Sequence, residues 1–362
     1  MGSVFLDGNE AVARAAILAG CDFFAGYPIT PATSIFHHML DFLPPLGRVC
    51  MQGEDEIASI GFCLGAAAGG AKVMTATSGP GISLFSEQIS FAIGAEIPIV
   101  IVDVQRLGPS TGSATKGADG DIQFLRWGNS GGLPVIVLVP VDVKDAFVLT
   151  LRAFHFAQKY RCPVFIASNK EVGMVRESVD LEVFSGLDED KGCSCESESL
   201  KVVNPASLRT KELVRLTSST HGVDNYITTD PQVIGDAILR MEQKLLSASG
   251  ELCCMEVDAN PGDSTLLVTY GVTARAAAEA LISLRKQGYG VSLLVIKTLF
   301  PVAEGELKSE MKGKEKIVVV EMNRGQYVRE IERLAGDIPV HFYGQMNGEL
   351  ITPASIVREV LQ

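Results

Sequence analysis

The sequence predicts an α/β fold, a doubly wound parallel sheet followed by a smaller α/β domain. Three observations carry that expectation. Between residues 23 and 169, β-branched and apolar runs alternate with stretches of helical spacing, giving about six strands. At residues 180–200 the composition turns acidic and rich in Ser and Glu, without periodicity, which reads as linker. From residue 264 a second strand–helix alternation begins and fills about a hundred residues, a common domain size. At 362 residues the chain exceeds one ordinary core. The expected division is 1–178, a connecting segment 179–262, and 263–362.

In chain order, GNEAVARAAILAGC at residues 8–21 has helical apolar spacing, an acidic first turn and a glycine stop. DFFAGYP reads as a strand ending at Pro28, and residues 32–42 as the next helix. The loop between them, Tyr27-Pro28-Ile29-Thr30-Pro31, is stiffened by its two prolines, which hold the Thr30 hydroxyl in place. A rigid turn without chemistry uses the same residues.

The stretch RVCMQGEDEIASIGFCLGAAAGG, residues 48–70, leads a short strand into Glu54, Asp55 and Glu56 and then into a helix. That helix is dense in small residues, among them Ala58, Ser59, Gly61 and Gly65. Small side chains let another backbone or a flat ligand approach closely, at a cost in helix propensity. One carboxylate beside such a surface can hydrogen-bond a heterocycle lying on it. Acidic residues also favour the first turn of any helix, so the stretch alone leaves both readings open.

KVMTATS is a buried strand, and Gly79-Pro80-Gly81 starts a helix running toward residue 95. A glycine turn there suits an anion at the helix N-terminus, but it lacks both GxGxxG spacing and the lysine of a P-loop. PIVIVDVQ ends at Gln105 and Arg106. An arginine at the carboxyl end of a parallel strand suits a carboxylate, and equally a surface salt bridge. The polar loop at 106–121 contains Thr111, Thr115 and Lys116, and long polar loops in compact domains usually serve a site. PVIVLVPV, a helix at 143–160 and PVFIASN complete the first alternation. His155 lies on that helix as a core or surface residue. His37 and His38 are adjacent and face different directions, so they share no metal.

Farther on, THGVDNYITTDP reads as loop and residues 233–246 as an amphipathic helix. TLLVTYG, VSLLVIKTL, KIVVVEMN and IPVHFYG are the strands of the second domain, with a helix at 327–335 and a terminal one from Pro353. The domain holds no paired acid/base constellation, so a structural or partner-binding role is expected of it.

A net charge of −12 argues against a nucleic-acid footprint, which needs clustered Lys and Arg. Neither a signal peptide nor a run long enough to span a membrane is apparent, so a cytoplasmic protein is expected. Eight cysteines are mostly scattered in apolar elements, and Cys193-x-Cys195 is too tight for a zinc knuckle. They read as reduced thiols, and no metal cluster is expected on this chain.

Taken in order, the segments GNEAVARAAILAGCDFFAGYPITP, EDEIASIGFCLGAAAGGAKVMTATSGPG, QRLGPSTGSATK, RLTSSTHGVDNYITTDP and VVVEMNRGQ resemble the α subunit of the 2-oxoacid:ferredoxin oxidoreductases. The ATK and RLTSSTHG segments are most similar to its 2-oxoglutarate branch. The resemblance implies a thiamine-diphosphate-binding fold of the pyrimidine type, followed by a domain like the last one of transketolase. It implies Glu56 as the carboxylate bonded to N1′ of the aminopyrimidine, with Tyr27, Pro28, Ile29 and Gly79 also at the cofactor. Arg106, Thr30, Thr115 and Lys116 match substrate positions, the first two beside the reacting carbon. Mg²⁺ and an iron–sulfur cluster are expected on a separate β subunit, coenzyme A as co-substrate and ferredoxin as electron acceptor.

Two departures qualify what carries over. The usual PTK of the substrate loop is here Ala114-Thr115-Lys116, and the GDG…N motif for diphosphate and Mg²⁺ is absent, Asp119-Gly120-Asp121 being a false echo. The chain is therefore expected to be inactive alone, and any γ domain to be a separate polypeptide. Rival readings are the same reaction on pyruvate, branched-chain or aryl 2-oxo acids, and a non-catalytic scaffold. A nicotinamide dehydrogenase is disfavoured because no Rossmann fingerprint follows any strand.

Overall fold

Buried strands flanked by helices on both faces set the architecture, seen in a computed structural model that describes residues 3–180 and 215–362. Most of the acidic stretch read as linker, and Cys193 and Cys195, lie outside the described residues. The first half contributes β1 (Ser3–Asp7), β2 (Phe23–Gly26), β3 (Val49–Gln52), β4 (Val73–Thr77) and β5 (Ile99–Gln105). It continues with β6 (Ile136–Leu138), β7 (Pro163–Asn169) and β8 (Arg176–Asp180). The second half contributes β9 (Met255–Asp258), β10 (Thr265–Tyr270), β11 (Val291–Ile296), β12 (Thr298–Phe300), β13 (Lys316–Glu321) and β14 (Val340–Gly344).

The larger sheet has the order β12-β6-β7-β5-β4-β2-β3. All neighbours from β6 to β3 pair in parallel, as the sequence predicts, and β12 joins β6 antiparallel. Every residue of β4, β5 and β7 is buried, as in strands covered on both faces. One face packs on helices Gly8–Leu18, Thr33–Phe42 and Val143–Tyr160. The other packs on Glu56–Ala68 and Ser86–Gly94, and that core continues without a break into the second domain, to Tyr327 and Ile331. Each buried Leu, Ile or Phe in these layers contributes about 1.5–3 kcal/mol.

The smaller sheet has the order β14-β13-β10-β11-β9, with β9 antiparallel at its edge. The boundary expected at 262/263 therefore falls between this edge strand and the sheet it joins. VSLLVIKTL is also not one strand. Its first part is β11 of the small sheet, and its last part, β12, crosses to the large one. The switch occurs at Lys297, whose buried ammonium pairs with Asp145 at 2.8 Å and with Glu256. Its carbonyl accepts from Val139 N–H at 2.8 Å, so the crossing is satisfied on main chain and side chain alike.

Other differences are local. The helix expected from Gly79 toward residue 95 is two helices, Gly79–Leu84 and Ser86–Gly94, parted at Phe85, whose side chain is buried. An antiparallel ribbon of β1 and β8, unforeseen in the sequence, ties Ser3 to Asp180. The described cysteines are free, and burial pushes the Cys63 and Cys162 thiols up to about 12, where they are poor nucleophiles. No helix among the described residues is long and apolar enough to cross a membrane.

Candidate active site

Four consecutive strands of the large sheet, β5-β4-β2-β3, end on the same side and deliver the site. Arg106 follows β5, Gly79 follows β4, residues 27–31 follow β2, and Glu56 opens the helix after β3. Ligands of open α/β sheets bind outside such carboxyl ends.

Three carboxylates stand at the start of the Glu56–Ala68 helix, and the structure separates their duties. Asp55 is the N-cap, its carboxylate accepting the Ala58 N–H at 2.7 Å. Glu54 is exposed. Glu56 points into the protein, only 8% exposed, and its carboxylate has no hydrogen-bond or ion-pair partner among the described residues. The cap is thus satisfied by Asp55, which leaves Glu56 free for another donor.

Opposite Glu56 the backbone comes very close. A Cβ on Gly81 would lie 2.9 Å from Glu56 Oε1 and 2.0 Å from Thr77 Oγ1. The Thr77 hydroxyl is itself buried without a partner. Sequence reading passed over Thr77 and left Gly81 as part of a turn. A second threonine hydroxyl, at the end of the strand VMTAT, was the available signal.

Arg106 is 6% exposed and joins two loops. Its Nη1 donates to the Thr30 carbonyl at 2.6 Å and its Nη2 to the Thr111 carbonyl at 3.0 Å, while Nε is buried without a partner. The Thr30 side of this arrangement is braced by buried Asn9, which donates to the Pro31 carbonyl at 2.9 Å and to Ser34 Oγ at 2.7 Å. Ile29 packs on the core, Pro28 is half-buried, and Tyr27 and Thr30 are exposed. Gly79 is close to Arg106: a Cβ there would sit 3.8 Å from Arg106 Cγ and 4.0 Å from Asp121 Oδ2.

Beneath Arg106, Asp103 and Asp121 face one another in a dry environment. Burial, reinforced by the charge of Asp121, drives the Asp103 carboxyl well above the usual range. Burial likewise pushes Asp121 up to about 6, against the opposing pull of Asp103 and Arg106. Two carboxylates this close do not both ionise, so the pair retains a proton. Gln105 fixes the second partner, its Oε1 accepting the Asp121 N–H at 2.9 Å. An aspartate inside PIVIVDVQ was the sequence signal for this pair.

Thr115 and Lys116 sit apart from these contacts. The loop closes on itself through Leu107 N–H to the Lys116 carbonyl at 2.8 Å and Ser113 N–H to the Leu107 carbonyl at 2.8 Å. Thr115 is exposed, and Lys116 pairs with Glu349 of the second domain at 3.0 Å. Neither is hydrogen-bonded to Glu56, Arg106 or Thr30. Among the described residues no group of three or more His, Cys, Asp or Glu side chains is arranged to hold a metal ion.

An unpartnered buried carboxylate facing a glycine cradle fits the aminopyrimidine edge of thiamine diphosphate, which offers N–H groups on a flat ring. With the parallel sheet and the appended α/β domain, this defines a thiamine-diphosphate-type α/β subunit.

Comparison with known proteins gives the family. The family model for the pyruvate flavodoxin/ferredoxin oxidoreductase, thiamine diphosphate-binding domain matches residues 14–230, and that for pyruvate:ferredoxin oxidoreductase core domain II matches residues 264–356. The 2-oxoglutarate synthase subunit KorA of Methanocaldococcus jannaschii is 38% identical over 99% of both chains. The ketoisovalerate oxidoreductase subunit VorB of Methanothermobacter thermautotrophicus is 34% identical over 99% of this chain and 97% of its own. Among solved structures, 2-oxoglutarate:ferredoxin oxidoreductase from Magnetococcus marinus, with 2-oxoglutarate, coenzyme A and succinyl-CoA bound, superposes with a TM-score of 0.89 at 31% identity. That match covers 99% of this chain and 65% of the other. A split-gene transketolase shares the fold, with a TM-score of 0.58 at 14% identity. The chain belongs to the 2-oxoacid:ferredoxin oxidoreductase family, as an α subunit.

Proposed function

We propose that this subunit serves the oxidative decarboxylation of 2-oxoglutarate to succinyl-CoA and CO₂, with electrons passed to ferredoxin. The observation that carries the reading is the buried Glu56 carboxylate without a partner, opposite Gly81. Relatives named as 2-oxoglutarate synthase subunits, and a neighbour structure holding 2-oxoglutarate and succinyl-CoA, support the substrate. A branched-chain 2-oxo acid is the second reading, supported by the ketoisovalerate oxidoreductase relatives at 34% identity.

In this reading Glu56 accepts a hydrogen bond from N1′ of the aminopyrimidine, and Gly79 with residues 27–29 lines the ring's surroundings. Thiamine diphosphate, when bound, supplies the carbon nucleophile and the electron sink for decarboxylation. Glu56 holds a proton at N1′, which favours the tautomer whose exocyclic nitrogen acts as a base. Arg106 and Thr30 orient the 2-oxo acid's carboxylate and carbonyl, and Thr115 and Lys116 serve its distal end. A β subunit binds the diphosphate with Mg²⁺ and carries the iron–sulfur cluster. Any γ subunit is a separate polypeptide, and the assembly works in the cytoplasm with coenzyme A as acyl acceptor.

The test is Glu56→Gln in the assembled complex. Turnover on 2-oxoglutarate with a viologen acceptor should fall by about a hundredfold or more while assembly is unchanged. Deuterium exchange at C2 of the bound thiamine should slow in parallel. Unchanged turnover would support a scaffold subunit instead, and a 2-oxo acid panel on the unaltered complex separates the two substrate readings.

A further inference from the structure

The second domain reaches into the substrate loop through the turn that follows β13. Asn323, fully buried, donates from Nδ2 to the Asp119 carbonyl at 2.9 Å and to the Tyr270 hydroxyl at 2.7 Å. Its Oδ1 accepts the Gly325 and Gln326 N–H groups at 2.8 and 3.0 Å, which fixes the turn. Asp119 N–H returns to the Met322 carbonyl at 3.0 Å. Gln326 Oε1 accepts Gln123 N–H at 2.8 Å, and Gln326 Nε2 donates to the Gly120 carbonyl. Behind the turn, Glu321 receives the Tyr270 hydroxyl at 2.8 Å and the N–H groups of Tyr327 and Val328 at 2.9 and 2.7 Å.

The side-chain contacts of Asn323 and Gln326 to this segment go to its backbone, at residues 119, 120 and 123, and the Gln123 side-chain amide donates in return to the Gln326 carbonyl. Such a grip holds the path of the loop whatever its side chains are. The far end of the gripped segment is Arg106, reached through Gln105 and Asp121. Ordering a loop of this length opposes considerable conformational entropy, and side-chain donors from a separate rigid domain supply the opposing bonds.

We propose that Asn323 and Gln326 are positioning residues for substrate binding, clamping residues 107–121 so that Arg106, held by the Thr111 carbonyl, stands ready for the 2-oxo acid. This rests on Arg106 being the substrate contact. The second domain is then a working part of the site, although it places no side chain at Glu56 or Arg106. A displacement of about 1 Å at a binding group is enough to lower a rate by up to about a hundredfold.

The experiment compares Gln326→Ala and Asn323→Asp with the parent, each as the assembled complex. Asn323→Asp keeps the acceptor for Gly325 and Gln326 but loses both donated bonds. Expected are faster amide hydrogen exchange confined to residues 107–121, a KM for 2-oxoglutarate raised about tenfold, kcat changed less than about threefold, and unchanged thiamine diphosphate affinity. If Asn323→Asp does not assemble, half-buried Gln326 decides alone. Faster loop exchange with an unchanged KM, or a raised KM without faster exchange, overturns the clamp. Full turnover by Glu56→Gln would instead fail the reading of the cofactor site, and the exchange and KM comparison would still judge the clamp.

Discussion

Arg106 Nη1 lies 2.6 Å from the Thr30 carbonyl oxygen, a charge-assisted bond that ties the end of β5 to the loop after β2 across the intervening β4. Such bonds contribute about 1.5–3 kcal/mol, enough to fix a guanidinium before a ligand arrives. Guanidinium carries five N–H donors. Its contacts to Thr30 and Thr111 use one on each terminal nitrogen, and the buried Nε–H is unpaired. Arg106 is therefore oriented by main chain while retaining donors for a carboxylate.

Arg106→Lys tests this double duty. An ammonium cannot hold both carbonyls and fork a carboxylate in one plane. We expect kcat/KM for the 2-oxo acid to fall about a hundredfold, chiefly through KM, with the melting midpoint changed by no more than a few degrees. Steady-state assays of the assembled complex decide it. An unchanged KM would confine Arg106 to bracing the 27–31 loop.

Gly81→Ala and Gly65→Ala make opposite predictions from one chemical change. A methyl at Gly81 would overlap Thr77 Oγ1 and crowd Glu56 Oε1, so thiamine diphosphate affinity should drop about tenfold or more. A methyl at Gly65 meets nothing within 4 Å and improves helix propensity by about 1 kcal/mol, so the subunit alone should gain stability. Gly65 shares an exposed face with Ile57 and Phe62, a small-residue surface on which the backbone of a partner subunit can approach closely. Gly65→Ala should therefore weaken assembly, measured by size exclusion against concentration. Unaltered assembly would leave that face outside the interface.

Strand and helix periodicity made the large sheet legible, because β4, β5 and β7 are rich in β-branched and apolar residues and bounded by glycine, proline or polar turns. The path of Lys297 was not legible. VSLLVIKTL has one unbroken pattern, and only tertiary pairing with Asp145 and Val139 carries its last residues to another sheet. The same limit applied at the site. Glu56 stood out beside small residues, yet its separation from Asp55 depends on which carboxylate caps the helix. Asn9 and Asp121 act across long sequence separations, which local spacing does not encode. Lys116, expected at the substrate from its motif, also pairs with Glu349 of the second domain, another contact that local spacing does not encode.

The Asp119 carboxyl gives the molecule a pH dependence of definite sign. Burial, opposed by the Asn169 amide and reinforced by Glu321, raises it to about 7, against about 4 for an unfolded chain. Its contribution is fully present below the unfolded value and is lost as pH rises toward 7, because the unfolded chain sheds its proton first. Asp103 and Asp121, also raised, act in the same direction. Asp119→Asn keeps an oxygen for Asn169, which donates to Oδ1 at 2.8 Å, and leaves the backbone contacts to Met322 and Asn323 in place. At pH 3, below the unfolded value, the variant and parent should unfold within about a degree of each other; by pH 8 the variant should be more stable by on the order of 4 kcal/mol. Thermal or urea unfolding of the subunit across this range measures it. Parallel curves for the two proteins would mean that Asp119 binds its proton no more tightly in the folded chain than in the unfolded one.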